Sequence, residues 1–418
     1  MKKLKSTDSY RAKNAPLWIA LRQSGIMLLT QPAAGGESAV AGFFFIFGGD
    51  FLTDTDYMKL ALDLADKGAG LANPNPLVGA VIVKQGRIIG RGWHQAYGQP
   101  HAERNALADC LENPKGADLY VTLEPCCHYG KTPPCTEAII NAGISRVIIG
   151  SSDPNPLVAG KGKEILENHG ISVTQGVLKQ ECDALNQIFF HYIQTGTPYV
   201  IMKYAMTMDG KIAAYTGKSQ WISGAPARQH VQETRRRLMG IMTGVGTIIT
   251  DNPRLTCRIE GARSPVRIIC DTHLNTPLSS YVVQTAKTYP TILATCCKDE
   301  NKQSAFLNAG CQILITPVKD GHVDLKDLML KLGKQGIDSI LLEGGAALNW
   351  SALNSGIVKK VQTYLAPKLL GGAGAKSPVG GIGAKDPDHG FFLSLPAITV
   401  IGTDLLLESE VYPCLQES

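Results

Sequence analysis

The sequence predicts an α/β protein built as two layered halves, and three observations carry that reading. From Asp54 onward, short β-rich runs alternate with stretches of helical apolar spacing. Hydrophobic residues make up 44% of the chain and charged residues 18%, the balance of a globular protein rather than a disordered one. The length of 418 residues favours two or three domains at roughly 150 residues each.

The elements follow in order. DYMKLALDLADKG (56–68) has helical spacing and stops at a glycine. VGAVIV (78–83) and IIGRGW (88–93) predict two strands joined by a turn at Gln85-Gly86. HAERNALADCLE (101–112) reads as helix, DLYVTL (118–123) as strand, TEAIINAG (136–143) as a short helix and RVIIG (146–150) as a buried strand. Residues 160–169 predict a helix, ISVTQG (171–176) a strand, and 179–194 a final helix. Alternation of this kind implies a mainly parallel sheet covered by helices. TGTP (195–198) reads as the link to the second half.

There, YVIMKYAM (199–206), VRIICD (266–271), TILAT (291–295), QILIT (312–316) and SILLEGG (339–345) predict strands. Helices are expected at 225–238, 300–309, 324–335 and 346–355. VKKVQTYLAP, LPAITVIG and TDLLLESEV close the β-structure, and 371–390 reads as a long flexible loop. The expected division is a leader over 1–53, one domain over 54–195 and another over 198–418. The leader is lysine-bearing and apolar, but its run AVAGFFFIF (39–47) falls short of the roughly 20 residues of a transmembrane helix.

Charge and cysteine usage narrow the function. A net charge of +5 is too modest to argue strongly for nucleic-acid binding, and it suits small phosphorylated substrates. Eleven scattered cysteines, clustered only at Cys126, Cys127 and Cys135, read as reduced thiols plus a metal site in the cytoplasm. His101-Ala-Glu103 opens a helix, and Pro125-Cys126 and Pro134-Cys135 follow. One histidine and two thiolates supply three zinc ligands and leave a position for water, the mark of a catalytic site. Glu103 is placed to take and return a proton without ligating the metal. The pattern matches the H-x-E with P-C-x-x-C of zinc nucleobase deaminases, with the second element stretched by a loop carrying His128 and Lys131. A structural zinc site would need a fourth ligand, for which Cys127 and His128 are available.

The second half is less explicit. LLEGGAALNWSAL reads as strand, glycine pair and helix, an arrangement that accepts a phosphate but is not G-x-G-x-x-G. Glu343 fits either a buried ion pair or contact with sugar hydroxyls. Arg235, Arg236 and Arg237 point in different directions on one helix, so one reaches a phosphate while the others are solvated. Arg258 is a second phosphate candidate.

NPNPLVGAVIV, HAERNAL, LYVTLEPCCHYGKTPPC and DPNPLVAGKG resemble the bifunctional deaminase–reductase family of riboflavin biosynthesis. So do KYAMTMDGKIA, SQWIS, GVGTIITDNPRLTCR, LLEGG and APKLLGG, and the resemblance runs in order over about 54–412. It implies a cytidine-deaminase-like three-layer domain followed by a dihydrofolate-reductase-like α/β domain. It also implies one zinc per chain, NADPH, a small phosphorylated pyrimidine substrate and a homo-oligomer, with no nucleic acid and no membrane. The implied reactions are deamination of a 2,5-diamino-6-(phosphoribosylamino)pyrimidinone and then reduction of ribosyl to ribityl.

The family's zinc ligands fall on His101, Cys126 and Cys135, and its proton shuttle on Glu103. Its deaminase pocket falls on Asn75, His94, His128 and Lys131. In the reductase half, substrate positions fall on Ser219, Arg235, Leu255, Arg258 and Glu343, with Lys203 lining the same pocket. Nucleotide positions fall on Ala205, Trp221, Thr247, Asp251, Thr272 and the loop Gly345, Ala346, Ala347, Leu348, Asn349, Trp350 and Ser351. The chain departs from the family at Cys127, often serine, at Gly224-Ala225, where Thr-Ser is usual after Trp-Ile, and in its leader. A nucleic-acid or nucleoside deaminase with an unrelated second domain is the alternative. It would need a basic, aromatic-rich surface, and aromatic content is only 6%.

Overall fold

The computed structural model describes residues 52–129, 133–156 and 158–412. The leader expectation therefore lies almost wholly outside the described residues, and so does Lys131.

The first half contains α1 (Asp54–Asp66), β1 (Gly79–Lys84), β2 (Arg87–Trp93), α2 (Ala102–Ala108) and β3 (Asp118–Leu123). It continues with α3 (Cys135–Asn141), β4 (Arg146–Ser151), α4 (Lys161–Asn168), β5 (Ser172–Gln175), α5 (Lys179–Leu185) and α6 (Gln187–Thr195). The five strands form one sheet in the order β2-β1-β3-β4-β5. β1 is antiparallel to both neighbours, while β3, β4 and β5 run parallel, so the sheet is mixed rather than mainly parallel. The cause is the Gln85-Gly86 turn, with φ of 50° and 76°. A two-residue turn of that hand joins only antiparallel strands.

Helices cover both faces because two glycines let them approach. A Cβ on Gly79 would stand 1.9 Å from the Ala61 carbonyl of α1, and one on Gly92 would stand 2.2 Å from the Ala106 nitrogen of α2. Ile82, Leu119, Val121 and Ile149 fill the α2 side, and Tyr57, Met58, Val81 and Ile148 the α1 side. α2 is shorter than its apolar spacing implies, and the expected helix over 179–194 breaks at Asn186. That side chain is 2% exposed and bonds both the N–H and the carbonyl of Leu77, at 2.8 and 2.9 Å.

The second half opens with β6 (Tyr199–Thr207), α7 (Ala225–Arg237), β7 (Gly240–Gly244), α8 (Val245–Asp251), β8 (Val266–Cys270), α9 (Tyr281–Gln284) and β9 (Thr291–Thr295). Then come α10 (Glu300–Asn308), β10 (Gln312–Ile315), a small hairpin of β11 (Val318–Lys319) and β12 (His322–Val323), and α11 (Leu325–Lys334). β13 (Ser339–Leu342), α12 (Ala346–Asn354), β14 (Val358–Ala366), β15 (Ala397–Ile401) and β16 (Asp404–Glu410) complete it. Nine strands order as β10-β9-β8-β7-β13-β6-β14-β16-β15. The sheet is parallel from β10 to β14 and antiparallel at its last two pairings. β7 and α8 are additions to the expected elements; GIMTG is too short and glycine-rich to announce a strand. Val200, Met242, Ile268, Leu328 and Ile340 anchor the main core. Among the described residues no helix is long and apolar enough to cross a membrane.

Both sheets lie within one compact unit, Asp54–Ser418. Arg237 grips Asp66 through two hydrogen bonds of 2.7 and 2.8 Å, and Arg236 donates to the Ala69 carbonyl at 2.9 Å. Neither is the freely solvated base expected from its position on α7. Asn73 donates to the buried Asp338 at 2.7 Å, and Tyr192 to the Gly333 carbonyl at 2.9 Å.

Candidate active sites

The first site forms where β3 ends and two helices begin. His101 is the N-cap of α2, Cys126 lies just beyond β3, and Cys135 is the first residue of α3. Their donor atoms all lie within 4.8 Å of one another. His101 Nδ1 stands 3.5 Å from Cys126 Sγ and 3.4 Å from Cys135 Sγ. The Cys126 carbonyl accepts from the backbone N–H groups of Cys135 and Thr136, at 3.1 and 3.2 Å, which fixes the two thiols relative to each other. Contacts from Cys135 and the His101 ring hold the Cys126 thiol down to about 4. An imidazole nitrogen and two sulfurs are a zinc donor set, and three protein ligands leave one tetrahedral position for chemistry. Neither Cys127 nor His128 joins this group of three, so the four-ligand structural alternative finds no support here.

Glu103 sits in the first turn of α2, only 3% exposed, and burial raises its carboxyl above the ordinary range. It faces a cavity of about 350 Å³ that also receives His101, Cys126, Asn75, His94 and His128. Asn75 Nδ2 donates to His94 Nε2 at 3.1 Å, and His94 Nδ1 donates to the Pro100 carbonyl at 3.1 Å. These partners set the tautomer, and burial lowers the ring's pKa, so His94 is a neutral wall of the pocket. His128 Nδ1 is buried without a partner among the described residues.

The sequence reading missed the far wall. Asp153 lines the cavity with its carboxyl pushed up to about 6 by burial. Phe189, Tyr192 and Ile193 reach the cavity from α6, a helix with no motif to flag it. Glu124 was also missed. Its carboxylate accepts from the N–H groups of Gly160 and Lys163, at 3.1 and 3.2 Å, and so ties the start of α4 to the metal loop.

The second site forms at the C-terminal end of β13. Arg235 on α7 meets Glu343 through both carboxylate oxygens, at 2.8 and 3.0 Å, and donates to the Thr256 carbonyl at 2.9 Å. Lys203 Nζ on β6 stands 3.8 Å from Glu343 Oε2. Arg258 also acts on Glu343 electrostatically. Three cations against one carboxylate leave the cluster positive, which suits an anionic ligand. Leu255 is 4% exposed with φ of 53°, a left-handed conformation that an ordinary side chain rarely adopts. Ser219 is half-buried, in the segment before Trp221. Trp221 is 59% exposed and lies under the Arg228 guanidinium, 4.5 Å from its ring centre.

Residues 345–351 are not a loop: Gly345 is the N-cap of α12, and the rest form its first turns. A Cβ on Gly246 would meet nothing within 4 Å, and one on Gly345 only Thr247 Oγ1 at 3.9 Å, leaving open backbone at a helix start. This is a fit for a dinucleotide phosphate. Gly345, Ala346, Ala347 and Leu348 are accessible there, as are Thr247, Asp251 and Thr272. Asn349 is fully buried and donates to the Pro378 carbonyl at 2.8 Å, while Trp350 stacks edgewise on Phe391. These two contacts brace the helix. Ala205 lies on β6 beside Tyr364 of β14.

The stretch 371–390, read as flexible, is pinned to this site. Asp209 accepts from the Thr207 hydroxyl and from the N–H groups of Leu370 and Gly371, the last at 2.6 Å. The Gly380 N–H bonds the Ala346 carbonyl at 3.0 Å. Asp209→Ala should therefore free Leu370 and Gly371, seen as faster exchange of their backbone amides.

Comparison with known proteins agrees with this layout. Residues 52–151 match the cytidine and deoxycytidylate deaminase zinc-binding region, and residues 198–407 match the RibD C-terminal domain. The riboflavin biosynthesis protein RibD of Actinobacillus pleuropneumoniae is 54% identical over 85% of this chain and 95% of its own. That of Escherichia coli is 41% identical over 77% and 89%. A solved diaminohydroxyphosphoribosylaminopyrimidine deaminase/5-amino-6-(5-phosphoribosylamino)uracil reductase from Thermotoga maritima aligns with a TM-score of 0.77 at 36% identity, covering 86% of this chain and 99% of that one. Acinetobacter baumannii RibD gives the same TM-score and identity. With a zinc-dependent deaminase unit followed by an NADPH-dependent reductase unit, the chain belongs to the RibD family of bifunctional riboflavin-biosynthesis enzymes.

Proposed function

We propose that the first half, 54–195, deaminates 2,5-diamino-6-(5-phosphoribosylamino)pyrimidin-4(3H)-one. The second, 198–418, then reduces the ribosyl side chain of the aminouracil product to ribityl. The observation that carries this is the His101–Cys126–Cys135 group with Glu103 beside it, in the same chain as the cationic Lys203–Arg235–Glu343 cluster.

His101, Cys126 and Cys135 hold the zinc, which when bound supplies Lewis-acid activation of water. Glu103 would be the proton shuttle beside that zinc, placed to pass a proton to the departing amine; burial raises its carboxyl above the ordinary range. Asn75, His94 and His128 orient the ring, and Lys131 contributes to substrate binding. In the reductase half, Ser219, Leu255 and Arg258 hold the phosphoribosyl group, with Arg235 fixed by Glu343. Ala205, Trp221, Thr247, Asp251, Thr272 and the start of α12 would hold NADPH, which when bound would supply a hydride. Lys203 delivers the accompanying proton; burial lowers its pKa, which eases release.

Our reading also makes the enzyme a cytoplasmic homo-oligomer that does not bind nucleic acid. Support for self-association comes from the edge strand β15, where Ile398 and Val400 are 63% and 71% exposed.

The test supplies the phosphoribosyl diaminopyrimidinone with and without NADPH and follows ammonia and NADPH absorbance together. Ammonia without NADPH, then NADPH oxidation once it is added, is the expected result; the absence of both signals from folded, zinc-loaded protein would remove the assignment. Stripping zinc with a chelator should abolish ammonia release while leaving reduction of directly supplied aminouracil intact.

A further inference from the structure

The features assigned to reduction lie along one edge of the second sheet. β6, β13, β7, β8 and β9 are parallel neighbours in that order, so their C-terminal ends line up. Lys203 and Glu343 belong to β6 and the end of β13, and the open backbone at Gly246 and Gly345 follows β7 and β13. A dinucleotide with its reactive ring at Lys203 and its phosphates at Gly345 therefore carries its second nucleoside on towards β8 and β9. At about 4.8 Å per strand, β8 stands roughly 10 Å past β13. Thr272 sits just beyond the end of β8.

The turn at Thr272 is fixed from several sides. Asp271 Oδ2 accepts from the N–H and the hydroxyl of Thr276, at 2.6 and 2.7 Å. The Thr272 carbonyl accepts from the Cys296 N–H and the Thr295 hydroxyl, both at 3.1 Å, which ties the turn to the end of β9. Lys302 Nζ, from α10, donates to the His273 carbonyl at 2.8 Å, so its ammonium is held against the turn. An ammonium has three N–H donors, and this bond uses one.

The same corner carries unneutralised positive charge. Lys298 and His273 are exposed there beside Lys302. No ion pair among the described residues involves any of the three. Asp299, between the two lysines in sequence, is engaged as the N-cap of α10, accepting from the N–H groups of Asn301 and Lys302 at 2.9 and 3.2 Å. Spare donors and positive charge on a rigid turn fit a phosphate on the ribose of that second nucleoside. That phosphate is the group that distinguishes NADPH from NADH.

We propose that Lys302, with Lys298 and His273, binds the 2′-phosphate of NADPH and makes the reductase half selective for the phosphorylated cofactor. The inference rests on the cofactor assignment above.

Fluorescence titration of the zinc-loaded full chain gives the Kd of NADPH and of NADH without turnover, and 2′,5′-ADP and AMP serve as competitors. The parent should bind NADPH more tightly than NADH, and 2′,5′-ADP more tightly than AMP. Lys302→Met should weaken NADPH and 2′,5′-ADP on the order of tenfold, the usual worth of a charge-assisted hydrogen bond, and leave NADH and AMP within about twofold. Lys298→Met and His273→Asn should act in the same direction. All three side chains are exposed, so each variant should fold. Added salt should narrow the parent's preference for NADPH more than that of the triple variant. Unchanged discrimination in the triple variant would overturn the proposal, while NADPH binding to the parent would keep the cofactor assignment. A parent that binds neither dinucleotide would remove that assignment and the proposal with it.

Discussion

Glu103→Gln should lower ammonia release by roughly 10²–10⁴-fold, the usual worth of a positioned general acid–base. The substitution is close to isosteric, so the buried side chain keeps its volume and the three metal ligands keep their places. Zinc content, read by mass spectrometry, should stay at one per chain. What is lost is an oxygen that accepts a proton and gives it back. Reduction of aminouracil supplied directly should be unaffected, because its cluster hangs on a different sheet. Ammonia release within tenfold of the parent, at full zinc content, would show that another group carries the proton.

The second large effect is expected at Glu343. Burial raises its carboxyl, but Arg235 and then Lys203 outweigh that and hold it at about 2, against 4.5 for the free group. Glu343→Gln leaves a buried guanidinium and an ammonium without their counter-charge, a change worth roughly 3–5 kcal/mol. For a unit of this size the melting temperature should fall on the order of 10 °C, measurable by calorimetry. Reduction should fail more severely than stability, since Arg235 loses the partner that aims it. The pH dependence has a definite sign. A depressed folded-state pKa contributes stability that is complete above about 4.5 and is lost as pH falls from there towards 2. The parent should therefore lose stability steeply in that window, and Glu343→Gln much less so. Parallel acid-denaturation curves would contradict the buried ion cluster.

How legible this was depended on range along the chain. The hairpin at Gln85-Gly86 and the His101-Ala-Glu103 with Cys126 and Cys135 site rest on local spacing, and local spacing is what a sequence displays. The mainly parallel pairing expected of the first sheet was wrong at β2-β1 and β1-β3, because the alternation of strands and helices was given more weight than the hairpin at Gln85-Gly86. The fates of Arg236 and Arg237 were hidden for a different reason. Their partners, Ala69 and Asp66, lie 167 and 171 positions away, and no periodicity announces such a contact. Loop 371–390 looked mobile from its glycines, yet Asp209 and Ala346 bind its backbone, again from far along the chain. Phe189 and Tyr192 joined the zinc pocket only because α6 returns to it.

The three neighbouring arginines of α7 also bear on how this polypeptide can be divided. Arg235 grips Glu343, while the next two residues clasp the first half. A gene split in the linker after Thr195 would give a reductase fragment whose Arg236 and Arg237 lack their contacts with Ala69 and Asp66, one and two residues away from the Arg235 that grips Glu343. The two catalysts are thus less interchangeable than their separate sheets imply, and fusion onto one chain acts as a setting for the second catalyst as well as a tether for the first.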